Sequence, residues 1–213
     1  MDLLEDGEQW ETLKAWFREN GLAIVAGALV GVLALTGWRW WQSHTEAQQL
    51  AASAEYEKML AGLDTADLGK ALGDLEKFRK EHAGSAYDTS AALEAARIHV
   101  VRNELDKAAI LLREVADGGR DAQLRTVAKL RLARVQVAQG KPDDALKTLG
   151  TGEAGAFSAL VAEVRGDVLQ SKGDAAGALR EYEAAKAARG PSPPSGNDGD
   201  LLDLKINDLK GAQ

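Results

Sequence analysis

The sequence predicts an all-α chain in which a single membrane-spanning helix precedes a stack of helical hairpins. Three observations lead there. Gly21 to Trp38 is an uncharged run of 18 residues in a chain whose net charge is -7. From Glu46 onward apolar residues recur at helical spacing, and no run of alternating β-branched residues interrupts them. The breaks between these periodic segments are short, which makes consecutive helices antiparallel neighbours. Composition agrees: a mixture rich in Ala, Gly and Leu, with 5% aromatics and 4 prolines, suits close-packed helices better than sheets.

The first element is the apolar run. A rise of about 1.5 Å per residue carries it across roughly 30 Å, the hydrocarbon thickness of a bilayer. We place the span at residues 21–41. Trp38, Trp40 and Trp41 sit where an aromatic belt meets headgroups, and Arg39 can snorkel among them, so these four are the predicted interface anchors. A soluble core helix of this length would carry a polar face. A cleaved signal peptide would have a basic start and a small-residue exit, whereas Asp2, Glu5, Asp6, Glu8, Glu11 and Glu19 precede this run. Lys14, Arg18 and the terminal amine lie before the span and Arg39 after it. The positive-inside rule therefore leans towards a cytoplasmic N-terminus. Ala23, Gly27 and Gly31 fall on one helix face. Two readings fit them: a packing face for another transmembrane helix, or the ordinary glycine content of membrane helices. Residues 1–20 form a short cytoplasmic segment, in which Trp10, Leu13, Trp16 and Phe17 suit an interfacial helix or a partner-binding turn.

The hairpins occupy residues 42–189 and they repeat. "RIHVVRNELDKAAILLREV", "RVQVAQGKPDDALKTLGTG" and "DVLQSKGDAAGALREYEAA" each run from an apolar helix through a polar turn at Asn103, Gly140 or Gly173. Five residues later comes a small anchor, Ala108, Ala145 or Ala178, and four after that a large side chain, Leu112, Leu149 or Tyr182. "KALGDLEKF", with Ala71 and Leu75, is an earlier copy. The alanines are 37, 37 and 33 residues apart, near the period of a tetratricopeptide repeat. A small residue lets the two helices of a hairpin cross closely, and the bulky one fills the groove beside it. The last copy is the fullest, with Gly166, Gly173, Ala178, Tyr182 and Ala185 at the small, turn, small, aromatic and small positions; Ala162 stands where a tryptophan is usual. Ala96 and Ala133 hold the first small position in the copies before it. A Pro/Gly/Ser linker at 190–200 leads to a capping helix and tail at 201–213, with Leu201, Leu204, Ile206 and Leu209 supplying an apolar face for the open end of the stack. The predicted fold is thus a tetratricopeptide-like α-solenoid of about four hairpins.

No catalytic constellation, cofactor site or metal site emerges. The chain has no cysteine, which excludes disulfides, zinc–thiolate sites and a cysteine nucleophile. His44, His82 and His99 stand apart in the sequence, and His99 reads as a packed helical residue. Asp143 and Asp144 read as charges complementing a helix N-terminus. From Thr45 onward 23 basic residues face 27 acidic ones, which disfavours nucleic acid. An interaction protein is the expectation; a membrane-anchored scaffold for another envelope assembly, or for a stress-signalling complex, fits the same repeats.

"GWRWWQSH" after the span, "LRLARVQVAQGKPDDALKTL", "VRGDVLQSKGDAAGALREYEAA" and the closing "LKIND" resemble the YfgM-type ancillary subunits of the bacterial Sec translocon. The resemblance covers nearly the whole chain. It implies a single-pass inner-membrane protein of Gram-negative bacteria with a periplasmic repeat domain. It further implies association with the SecYEG channel and the membrane-tethered chaperone PpiD, and a link to envelope-stress regulation. It carries over no catalytic residue.

Overall fold

The structure, a computed structural model, describes residues 3–63, 67–151, 155–189 and 197–211. They form α1 (Leu3–Leu63), α2 (Leu68–Glu81), α3 (Ala86–Val101), α4 (Leu105–Gly118), α5 (Ala122–Ala138), α6 (Pro142–Leu149), α7 (Ser158–Ser171), α8 (Ala175–Arg189) and α9 (Asn197–Gly211). One turn of 3₁₀ helix, Gly155–Phe157, precedes α7. The described residues contain no strand.

The chain divides into two compact units, Met1–Ala54 and Glu55–Gln213. In the first, α1 is unbroken through residues 20/21 and 41/42, where the sequence drew its boundaries. Those boundaries reflect a change of polarity, and a helix has no reason to stop at such a change without a proline or a competing cap.

The second unit is a run of hairpins: the end of α1 with α2, α3 with α4, α5 with α6, and α7 with α8. Consecutive helices pack together from α2 through to α9, while α3 touches α5 and α5 touches α7. The first helices of successive hairpins therefore line up side by side, which is the geometry of a solenoid. The tight turns share one chemistry. The amides of Glu104, Lys141 and Asp174 donate to the carbonyls of His99, Gln136 and Leu169 at 2.8, 2.8 and 3.0 Å, closing the preceding helix. The residue before each amide is left-handed: Asn103 has φ 56°, Gly140 φ 73° and Gly173 φ 82°. Glycine adopts this conformation without strain and asparagine more readily than most residues, so the sequence punctuation has a steric cause. Side chains start the next helices: Ser85 accepts from Asp88 N, Asp121 from Gln123 and Leu124 N, and Asp174 from Gly177 N.

Among the described residues, three apolar clusters run along α3 to α9, and Leu75, Phe78 and Ile98 are buried towards the start of the stack. The first cluster joins α3, α4 and α5 through Ala96, Ala108, Leu112 and Leu132. The second joins α5, α6 and α7 through Ala133, Ala145, Val164 and Val168. The third joins α8 to α9 through Ala178, Tyr182, Ala185, Leu202, Ile206 and Leu209, so α9 covers the end of the solenoid. Helix α9 begins at Asn197, taking residues 197–200 from the expected linker; residues 190–196 lie outside the described residues. Within α9 the sequence had assigned Leu201 and Leu204 to the apolar face, yet they are 53% and 59% exposed, and Leu202 takes their place in the core.

Candidate functional site

Within α1 the stretch Arg18–His44 contains an 18-residue apolar window with a mean hydropathy of 2.0, and none of the described residues of that window is buried. Trp38 and Trp41 approach each other with ring centroids 5.6 Å apart, and Trp40 stacks on His44 at 5.8 Å. All three tryptophans, and Arg39 between them, are exposed, forming an aromatic collar one turn deep. The polar groups within the run are satisfied by the helix itself: Thr36 Oγ1 donates to Val32 O at 2.7 Å and Ser43 Oγ to Trp40 O at 3.0 Å. Gly27 and Gly31 are exposed, and a Cβ added at either would meet no atom within 4 Å. The side chains of Ala23, Leu13 and Phe17 lie outside the described residues.

In the repeats, Ala108, Ala145, Ala178, Tyr182 and Ala185 are wholly buried, Leu112 is 1% exposed, and Gly166 is buried. Leu149 is only half-buried. It is the last residue of α6, because Gly150 ends that helix at eight residues, so it closes a hairpin where Leu112 and Tyr182 sit within one. The large and small positions meet across the last hairpin: a Cβ on Gly166 would lie 2.5 Å from Tyr182 Cδ1 and Cε1. Earlier hairpins pair alanine with leucine; this one exchanges a methyl group for ring volume. The Tyr182 hydroxyl lies 2.9 Å from Asp167 Oδ1 and 2.8 Å from Gln170 Oε1. Burial, reinforced by the Asp167 carboxylate, raises its pKa above that of an ordinary phenol.

A charged clasp surrounds this tyrosine. Lys205 of α9 reaches Glu163 Oε1 at 3.0 Å and Asp167 Oδ1 at 2.6 Å, while Arg189 reaches Glu163 Oε2 at 2.7 Å. Burial alone would lower the lysine's pKa, but the two carboxylates outweigh it and the value rises. Elsewhere Arg79 ties the first two hairpins through Asp88 and Glu114, and Lys172 ties the last two through Asp143.

Two of the histidines that stand apart in sequence have carboxylate partners in space. His99 is 7% exposed and its Nδ1 lies 2.8 Å from Glu104 Oε2. Lys107 and then His99 pull the Glu104 carboxyl down to about 2 from 4.5. His82 Nε2 lies 2.9 Å from Glu55 Oε2. With Glu81 these form the one group among the described residues whose ligand atoms gather within 4.8 Å of one another, as an ion would require. Glu55 and Glu81 are exposed, and His82 with Glu55, and Glu81 with Lys77, already account for the grouping as surface pairs.

The feature the sequence reading missed is a recess on the first helices of the middle hairpins. Ala96 and Val100 of α3, Leu112 of α4 and Val135 of α5 form an apolar floor, and Arg97, Arg131 and Arg134 form its rim. Its volume is about 210 Å³. A signal was present: Arg97 and Arg134 are 37 residues apart, one repeat, and so occupy the same position in successive hairpins. What hid it is that α3 and α5 are neighbours only once the hairpins stack.

Comparison with known proteins fits this architecture. The family model of the tetratricopeptide repeat-like domain matches residues 14–211. An ancillary SecYEG translocon subunit of Escherichia coli is 38% identical over 212 residues, covering 98% of this chain and 99% of the relative. The chain belongs to the family of ancillary SecYEG translocon subunits. A second member of this translocon-subunit family, from Haemophilus influenzae, is 29% identical over 97% of this chain and 98% of its own. Members of the family are translocon subunits built on repeats, a non-catalytic kind of protein. Among solved structures, one described as "MamA RS-1 ArsTM double mutant" aligns with a TM-score of 0.51 at 14% identity, covering 76% of this chain and 96% of that one, which is a likeness of fold alone.

Proposed function

We propose that this chain is a membrane-anchored accessory of the Sec protein-translocation channel whose repeats, facing the periplasm, serve as an adaptor or chaperone-recruiting surface. The supporting observation is the match to the Escherichia coli translocon subunit, which runs through both the apolar helix and the repeats in one continuous alignment. Residues 21–41 are the span, 1–20 the cytoplasmic segment, 42–189 the repeat domain, 190–200 the linker and 201–213 the cap and tail. The proposed partners are SecYEG, the membrane-tethered chaperone PpiD and an envelope-stress regulator. Tethering raises the effective concentration of the repeats near any partner in the same membrane, so individual contacts can be weak. The surface through which the repeats would bind is the first-helix face carrying the arginine-rimmed recess.

Two measurements test this reading. A reporter active only in the periplasm, fused after Gln213, is expected to be active; activity of a cytoplasm-dependent reporter instead would overturn the orientation. Photocrosslinkers placed on α3 and α5 in intact cells are expected to capture channel subunits, PpiD or translocating chains, and crosslinks to cytoplasmic proteins alone would reject the assignment.

A further inference from the structure

The recess between α3 and α5 has features that narrow what it can hold. At about 210 Å³ it is smaller than typical small-molecule sites, which run from about 300 to 1,000 Å³. It has room for one or two side chains of a longer ligand. Its floor is apolar throughout: Ala96 and Leu112 are each 1% exposed, Val135 is 5% exposed, and Val100 stands beside them with 42% of its surface exposed. An apolar hollow of this size takes an aliphatic or aromatic anchor.

The rim sets a second requirement. Arg97 is already engaged by Glu94 through two bonds of 2.8 and 2.6 Å. Arg131 and Arg134, one turn apart on α5, are exposed and have no hydrogen-bond or ion-pair partner among the described residues. Their charge stands out against a chain that is acidic overall, with net charge -7. Charge complementarity therefore selects a carboxylate next to the anchor, which a guanidinium can grip with paired hydrogen bonds.

We propose that the recess binds an extended acidic–apolar segment of a partner protein, seating an apolar side chain over Leu112 and Val135 while Arg131 and Arg134 hold the adjacent carboxylate. The inference rests on the reading of the repeats as a protein-docking surface and adds the chemistry of what docks. An extended segment suits it because residues pointing alternately can place one side chain in the hollow and its neighbour on the rim.

The test uses the full chain in detergent micelles and a fluorescein-labelled peptide alternating aspartate with leucine, followed by fluorescence anisotropy. Binding is expected to weaken as salt is raised. Replacing every aspartate of the peptide by asparagine, or every leucine by serine, is expected to weaken it at least tenfold. Arg131→Gln with Arg134→Gln should do the same with an unchanged thermal unfolding curve, and Arg131→Lys with Arg134→Lys should retain part of the affinity. Arg180→Gln, exposed on α8, is the control and should bind as the parent chain does. Equal affinity for the asparagine peptide would make the recess a neutral apolar site and overturn the proposal. Equal affinity for the serine peptide would make it a bare anion site, with the same consequence. So would undiminished binding by the double glutamine variant, or no binding by the parent chain. Co-purification of the parent chain with the channel is measured separately: its success beside a failed peptide titration rejects this inference and leaves the translocon reading intact, and the reverse result rejects the translocon reading.

Discussion

Gly166→Ala is the sharpest probe of the repeat packing. The added Cβ would lie 2.5 Å from Tyr182 Cδ1 and Cε1 and 3.1 Å from Cζ. Carbon atoms prefer about 3.5–4.0 Å, so the ring would have to retreat by roughly 1 Å. Tyr182 has nowhere to go: it is wholly buried, its hydroxyl is held by Asp167 and Gln170, and Lys205 lies 5.4 Å above its ring. Overpacking of this kind costs about 1–3 kcal/mol. Loss of the hydroxyl's hydrogen bond would add about 1 kcal/mol. Against this, alanine is favoured over glycine within a helix by about 1 kcal/mol. The net expectation is a destabilisation of about 2 kcal/mol. With a urea dependence of about 1–3 kcal/mol per molar, the unfolding midpoint of the repeats should fall by about 1 M. Urea titration of the full chain in micelles, followed by far-ultraviolet circular dichroism, reads it. A double-mutant cycle with Tyr182→Leu gives the control, because alanine with leucine is the pairing the earlier hairpins use; in that background Gly166→Ala should cost little or be favourable. An unchanged midpoint in the single variant, or an equal cost in both backgrounds, would refute the size-complementarity argument.

Three further outcomes are expected. Lys205→Met removes a shared partner of Glu163 and Asp167, leaving Arg189 on the first and the Tyr182 hydroxyl on the second; the repeats should lose about 1–2 kcal/mol, and hydrogen exchange should rise in α9 before it rises in α5. The Glu104 carboxyl titrates at about 2 in the folded chain against 4.5 for the free group, so its contribution to stability is present above 4.5 and is lost as pH falls towards about 2. Glu104→Gln should lower stability near neutrality, where the carboxylate contributes fully, and flatten the profile in that acid window, as unfolding curves across pH would show. Gly27→Leu with Gly31→Leu should leave membrane insertion intact, since both positions have open space for a side chain, while reducing co-purification with SecYEG; full recovery of the channel would remove that helix face from the interaction.

Much of this protein is decided by local sequence. The candidate membrane helix is legible in Gly21 to Trp38 alone, because eighteen uncharged residues in a row make a helix long and apolar enough to cross a bilayer. The hairpin turns follow from Asn103, Gly140 and Gly173, because only a few residue types accept the left-handed conformation that ends each helix. The buried alanines follow from their period. Tertiary structure decided the rest. Nothing local stops α1 at either end of its apolar run, so polarity could not mark a helix end. Choosing Leu202 over Leu201 and Leu204 required knowing which side of α9 meets Tyr182, since a short helix with leucines on two sides has two possible inner faces. The clasp of Lys205 on Glu163 and Asp167 spans 42 and 38 residues, and the recess of Val100, Arg131 and Arg134 is made by two helices that are not consecutive. Periodicity tells a helix which face to bury, but only the stacking of one hairpin on the next determines what that face, and the charges around it, will meet.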